Sequence, residues 1–248
     1  MRTALPAGAL AALVLFLSSH PAAAGPADYV ITPIVEEGER EIDFKAGSSK
    51  FSDGTRNSAW SVGLGWGVTG QWFTELYAKW QTATAAPQTF DAWEWENKFQ
   101  FTETGRYPLD IGLLIEVERP KDRSEGYELT WGPLLQADFT PDIQANLNLL
   151  ITKHYRAASA SAAELGWQWQ LKYRWQPALE FGLQGFGGVG PWQQWTPVSE
   201  QSHTAGPAIF GRVKVGQRET IRYNAAWLFG IGEGSPRQTL RMQAEYEF

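Results

Sequence analysis

The chain has no cysteine, only 3 histidines and no block of basic residues. The lack of cysteine excludes a disulfide framework. No group of histidines and carboxylates has the spacing of a metal site, so neither a metal nor another cofactor is expected. The net charge of −6 is spread along the chain, which argues against a nucleic-acid partner.

The first residues have the composition of a secretory signal. Arg2 is followed by a short apolar run and then by three alanines before Gly25. This charged, apolar, small-residue order predicts cleavage before Gly25, and the run is too short to span about 30 Å of hydrocarbon. We therefore predict a signal peptide over residues 1–24 and one domain over residues 25–248.

Long apolar runs are also absent from the rest of the chain. The mean hydropathy of the whole sequence is −0.33. No stretch after the signal approaches 18 apolar residues, which excludes a helical membrane protein. The chain nevertheless has 13 tryptophans and 25 glycines, a composition that favours strands and turns. Strands that cross a membrane need an apolar side chain only at every second position.

Twelve segments show this alternation, and the clearest is ELGWQWQLKYRW, where Trp167, Trp169 and Leu171 alternate with glutamines. Aromatic residues recur eight positions apart on the apolar parity, as in Trp72 and Trp80, which approaches the spacing of aromatic girdles. Short turns alternate with longer loops. These features predict an all-β fold, a transmembrane antiparallel up-and-down β-barrel of about 12 strands. A soluble sandwich or lipocalin-like barrel would have to bury too many large rings.

Some residues break the pattern. Asn97, Leu114, Leu150 and Leu228 have the wrong polarity for their parity. Pro133 and Pro207 also fall within alternating segments, and because proline removes a ladder donor, we expect them to mark bulges or strand ends.

The C-terminal sequence TLRMQAEYEF resembles the C-terminal signal of bacterial outer-membrane β-barrels, with Tyr246 and Phe248 at its key positions. The body of the chain, including WFTELYAKW and ELGWQWQLKYRW, resembles small proteobacterial outer-membrane β-barrel proteins. The resemblance implies a location in the bacterial outer membrane, contact with its lipids and recognition by the barrel-assembly machinery. It implies no particular activity.

Charged residues on the polar parity would line the lumen, because charges cannot lie against lipid cheaply. The acidic and basic charges are partly segregated along the chain and are expected to face each other. The candidate lumen residues are Glu94, Glu96, Glu116, Glu118, Lys172, Arg174, Arg212 and Arg222. Two interpretations follow: a narrow, porin-like channel for a small hydrophilic solute, or a closed, salt-bridged barrel with a structural or adhesive role.

A lipid-modifying enzyme is the weakest alternative. His154 lies on the lumen parity, and His203 lies in SHT without a nucleophile motif or an orienting acid. We therefore assign no catalytic residue and expect no enzyme. Trp192 and Trp195, in the loop GPWQQWTPVSEQSH, would either pack on the barrel rim or fold into its mouth and stack on a sugar or aromatic solute.

Overall fold

Twelve antiparallel strands close into a barrel in the computed structural model, which describes residues 25–248. The predicted signal peptide lies outside the described residues. The strands are β1 (Arg40–Lys50), β2 (Arg56–Thr69), β3 (Trp72–Ala83), β4 (Thr89–Gln100), β5 (Asp110–Pro120), β6 (Tyr127–Thr140), β7 (Ile143–Tyr155), β8 (Glu164–Gln176), β9 (Leu179–Pro191), β10 (Ser202–Lys214), β11 (Thr220–Gly230) and β12 (Gln238–Glu247). Two single turns of 3₁₀ helix, Arg123–Glu125 and Val198–Glu200, lie in loops. Within residues 25–248 no helix is long and apolar enough to cross a membrane.

Each strand pairs with its neighbours in sequence, and β1 pairs with β12 to complete the ring. Across this closing seam Phe44 lies opposite Ala244, and the amide of Phe248 donates a hydrogen bond to the carbonyl of Arg40 at 2.9 Å. The closed ring leaves no strand edge unpaired, as a hydrocarbon environment requires. The predicted up-and-down barrel of twelve strands is confirmed.

The side chains alternate between a polar interior and an apolar outer surface. Inward-facing Asp43 and Asn148 are fully buried, whereas outward-facing Trp93 and Leu240 are 53% and 62% exposed. Trp60 and Trp80 stack on the outer surface with ring centroids 4.1 Å apart. A soluble barrel has the opposite distribution, so the outer surface is one that lipid, not water, would cover.

The two ends of the barrel differ in loop length. The connections after β2, β6 and β8 have two residues each, and those after β1, β3, β5, β7, β9 and β11 are longer. The β4–β5 and β10–β11 connections, residues 101–109 and 215–219, lie at the same end as the two-residue turns but are longer than they are. We call the end with the two-residue turns the short-turn side and the other end the loop side. In outer-membrane barrels short turns face the periplasm.

Residues 25–39 run through the barrel to its short-turn rim, and we call them the inner segment. Its Val30, Ile31 and Val35 are buried, at 6%, 4% and 8% exposure. At the short-turn rim the segment joins the wall, where the amide of Gly38 donates to the Gly67 carbonyl at 2.8 Å. The sequence pattern did not predict this segment because it has no period of two.

The inner segment explains most of the residues that break the alternation. Leu114 and Leu150 point inward and form a buried cluster with Ile31, and Leu228 belongs to a second cluster around Val30. Asn97 is a separate case on the outer parity. Its side-chain oxygen accepts hydrogen bonds from the Trp72 indole at 3.1 Å and the Thr74 hydroxyl at 3.0 Å, so the amide is satisfied beneath aromatic rings.

The expectation for the two prolines is wrong. Pro133 lies in the middle of β6 and Pro207 in the middle of β10. The β6–β7 ladder skips residues 132 and 133, and the β10–β11 ladder skips residues 206 and 207, but neither register shifts there. A glycine precedes each proline, and a Cβ at Gly132 or Gly206 would collide with the backbone of the neighbouring strand. Both strands therefore continue through the proline with a local gap in the ladder and no change of register.

Candidate solute pathway

A thin septum, residues Tyr29–Ile31 of the inner segment, divides the lumen. Val30 packs against inward apolar residues of β9, β10 and β11, and Ile31 packs against those of β5, β6 and β7. Burying a side chain of this size contributes about 1.5–3 kcal/mol. Tyr29 and Ile31 border cavities on both sides, so the septum lies between the two cavities.

Tyr29 links the septum to the barrel wall. Its hydroxyl donates a hydrogen bond to the Glu96 carboxylate at 2.8 Å. The Lys45 ammonium lies 3.5 Å from the centre of the Tyr29 ring and 3.6 Å from that of Tyr77. The same ammonium is 3.5 Å from the Asp43 carboxylate. The Tyr29 side chain is thus held by both a charged hydrogen bond and a cation–π contact.

Wall side chains satisfy the backbone of the inner segment. The amide group of Asn148 donates to the Ile31 carbonyl at 2.9 Å, and the amide of Val35 donates to the Gln100 side chain at 2.7 Å. Glycine permits a close approach, since a Cβ at Gly47 would collide with the carbonyl of Pro26. The segment therefore rests on the wall without joining its hydrogen-bonded ladder.

The cavity on the loop side is about 430 Å³ and mainly acidic. Its carboxylates come from Asp28, Asp91, Glu94, Glu116, Glu118, Glu128 and Glu164. Two lysines, Lys45 and Lys79, offset part of this charge, and His154 also borders the cavity. Lys79 forms ion pairs with Glu94, at 2.6 Å, and with Glu118, and His154 lies 3.2 Å from Glu128. Glu116 has no ion-pair partner among the described residues.

The cavity on the short-turn side is about 640 Å³ and has a mixed lining. Its basic residues are Lys98, Lys172, Arg174, Arg212 and Arg222. Lys172 lies 3.5 Å from Glu180, Arg174 lies 3.1 Å from Asp138, and Arg222 pairs with Glu247 at 2.5 Å. Arg212 is exposed in the cavity without an ion-pair partner in residues 25–248.

The eight candidate lumen residues are thus distributed over both cavities. Glu94, Glu116 and Glu118 border the loop-side cavity, and Glu96 borders the short-turn cavity with the four basic residues. The acidic and basic groups do not face each other at one level of the barrel. The acids lie at mid-strand or closer to the loop side, and the bases lie near the short-turn ends of β8, β10 and β11. Most of them pair with neighbours on the wall instead.

Two groups of carboxylates are close enough to share a metal ion. One is Glu94, Glu96 and Glu116, and the other is Glu39, Glu41 and Glu247, with ligand oxygens within 4.8 Å in each. A basic side chain already contacts each group, Lys79 in the first and Arg222 in the second. These cations supply the charge that a metal would otherwise bring.

The residues considered for an enzyme are not assembled into a catalytic site. Ser202 and His203 are consecutive residues of a strand, so their side chains point to opposite faces. His203 stacks on Trp167 at 4.9 Å and lies 3.0 Å from the Gln201 side chain. His154 faces a carboxylate in the acidic cavity.

Trp192 and Trp195 are 51% and 62% exposed and border neither cavity. Their loop is anchored by the Thr196 amide, which donates to the Val189 carbonyl at 2.9 Å. The structure therefore does not place these rings in the mouth of the barrel.

No protein-family model matches the chain, and no curated protein matches it in sequence. Solved outer-membrane structures do match the fold. An outer-membrane channel from Pseudomonas putida F1 is 9% identical with a TM-score of 0.61, covering 87% of this chain and 98% of the other. The KdgM porin in complex with disordered oligogalacturonate (10% identical, TM-score 0.53) and the NanC porin (12%, 0.52) each match 84% of this chain and 98% of their own. At these identities the likeness establishes the fold of an outer-membrane β-barrel.

Proposed function

We propose that this chain is a narrow outer-membrane channel for a small hydrophilic solute. The observation that carries the proposal is the pair of charged cavities on the two sides of a septum only three residues thick. A barrel with a purely structural interior can be filled by packed side chains. The two cavities here total on the order of a thousand Å³, a volume typical of small-molecule sites. The fold shared with porins and channels supports the same conclusion.

The charge of the loop-side cavity favours a cationic or zwitterionic solute. Seven carboxylates line it against two lysines, Lys45 and Lys79. Rings of acidic side chains select cations in other channels. One of the compared porins was solved with an oligogalacturonate, but an acidic oligosaccharide would be repelled by this lining.

The septum favours one competing function, a closed barrel with a structural role. In that case the apolar contacts of Val30 and Ile31 would be permanent, and the two cavities would never join.

We also propose how the chain is exported and inserted into the membrane. Cleavage before Gly25 would release the chain after export, and the barrel-assembly machinery would recognise Tyr246 and Phe248. The position of these two rings at the seam between β1 and β12 supports this assignment, since Phe248 stacks on Tyr246 at 5.7 Å beside the last rung of the ladder.

Single-channel recording of the refolded protein in planar bilayers tests the proposed function. We expect small, brief currents and a reversal potential that favours cations in a salt gradient. Complete electrical silence, with a correctly folded barrel in the same bilayers, would instead support the closed structural barrel.

A further inference from the structure

We infer that the inner segment is an autoinhibitory gate that leaves the lumen as a unit, with Tyr29 as its latch. This inference rests on the proposed channel function. In the closed state of that channel the septum blocks the lumen, and the inner segment moves about a pivot at the rim around Gly38.

The barrel wall does not depend on the inner segment for its strand pairing. All twelve strands pair with two neighbours each, and the segment contributes no strand to the ring. Its removal would therefore leave every rung of the ladder intact, and no edge would be exposed to lipid.

The attachments of the segment are of a kind that can break and re-form. Between residues 25 and 37, the hydrogen bonds to the wall involve wall side chains, as in Asn148 and Gln100. Backbone hydrogen bonds between the segment and the wall occur at Gly38 and Glu39, both to Gly67. Gly38 has a φ of +79°, which few other residues adopt easily. The segment is thus fixed at one end and held by side chains along the rest.

The length and the surroundings of the segment allow it to move out. Thirteen extended residues span about 40 Å, which exceeds the roughly 30 Å hydrocarbon core. A pivot at the short-turn rim lets the end that the proposed cleavage before Gly25 creates swing through the larger cavity toward the periplasmic end. Departure exposes the apolar residues around Val30 and Ile31 to water, so the closed state is favoured and openings are brief.

Tyr29 acts as the latch because it joins the segment to two different strands through groups that carry charge. Its hydroxyl bonds Glu96 on β4, and its ring covers Lys45 on β1. When Tyr29 leaves, Glu96 loses this hydrogen bond and the Lys45 ammonium loses one of its two rings.

A reversible crosslink tests the gate directly, because the chain has no cysteine of its own. Ile31→Cys is combined in turn with Leu114→Cys, Leu134→Cys and Leu150→Cys, the three leucines of its buried cluster. Ser49→Cys/Thr239→Cys is the matched control, since these side chains meet at 2.7 Å between two wall strands. We expect oxidation to abolish the current in the crosslinked gate variant, reduction to restore it, and the control to conduct in both states.

The Tyr29 latch is tested by Tyr29→Phe, which removes only the hydroxyl, and Tyr29→Leu, which removes the aromatic ring as well. We expect the open probability to rise about tenfold in the first, as for loss of a hydrogen bond to a charged group, and further in the second. Heat-modifiable gel migration should remain that of wild type in both, because the wall is unchanged.

The outcomes separate the gate from the proposed function. A silent wild type refutes the channel itself. A conducting wild type whose oxidised crosslink still conducts overturns the gate but leaves the channel in place. Failure of all three cysteine pairs to crosslink, or unchanged gating in Tyr29→Leu, would also overturn the gate.

Discussion

Val30 and Ile31, neighbours in sequence, pack against two different parts of the barrel wall, β9–β11 and β5–β7. Consecutive side chains of an extended segment point in different directions, so these two residues reach both sets of wall strands. Each meets a separate set of inward apolar residues. The two Gly-Pro pairs that interrupt the ladders lie beside these apolar residues. Residues 132 and 133 lie opposite Leu149 and Leu150, and residues 206 and 207 lie opposite Trp227 and Leu228.

A charge at the septum should expel the inner segment. Ile31→Asp places a carboxylate among Leu114, Leu134 and Leu150, and an unpaired buried charge costs several kcal/mol. We expect amide hydrogen exchange of residues 26–36, followed by mass spectrometry, to become much faster while the strands stay protected. Ile34→Asp is the control, because Ile34 already borders the short-turn cavity and its charged groups. Equal protection in both variants would contradict the packing described for Ile31.

Lys79 should be more important for stability than its single charge suggests. It pairs with Glu94 and Glu118, which are largely buried. Lys79→Met leaves both carboxylates without their cation, and we expect a loss of up to about 3–5 kcal/mol in the free energy of unfolding, measured by urea denaturation in lipid vesicles.

The triple variant Lys79→Met/Glu94→Gln/Glu118→Gln should recover much of the stability lost in Lys79→Met, because it no longer contains the two unpaired charges. Lys214→Met, at an exposed strand end, is the control for the loss of one lysine. A triple variant as unstable as Lys79→Met would show that packing, not charge, accounts for the effect.

The barrel could be predicted from sequence because its main rule is local. Alternation along each strand assigns one face to lipid, and residues such as Trp93 and Glu94 obey it. The inner segment could not be predicted in the same way, since PADYVITPIVEEG has two prolines and no period. Its only signal was indirect. Leu114, Leu150 and Leu228 are apolar on the lumen parity, and an inward leucine in a polar lumen needs an apolar partner from elsewhere in the chain.

The positions of the lumen charges relative to one another could not be predicted from the sequence, for a related reason. Parity tells which face a residue occupies but not its height in the barrel relative to residues on distant strands. Glu116 and Arg212 both face the lumen as expected, yet they border different cavities. Their separation depends on the stagger of twelve strands and on the septum, which are properties of the whole ring.

Deletion of Phe248 should impair assembly without altering the lumen. Its ring stacks on Tyr246, and its amide bonds Arg40 across the seam that closes the barrel. We expect a several-fold lower level of folded protein in outer-membrane fractions, read by heat-modifiable gel migration. Phe139→Ala is the control, because Phe139 is an exposed aromatic residue on another strand near the same rim. Normal levels of the deletion variant would contradict the assignment of the C-terminal signal.

The two cavities should affect ion selectivity separately and in opposite directions. Glu116 and Arg212 form a matched pair, since each borders one cavity and neither has an ion-pair partner among the described residues. Neutralising either one therefore leaves no partner unpaired. We expect Glu116→Gln to lower the preference for cations and Arg212→Gln to raise it, measured as shifts of the reversal potential in a salt gradient.

The double variant should return close to wild type, because the two charges act at separate places and their effects add. Both effects should weaken as the salt concentration rises, since mobile ions screen charges in water-filled cavities. Shifts in the same direction for both single variants would show that solutes do not pass through both cavities.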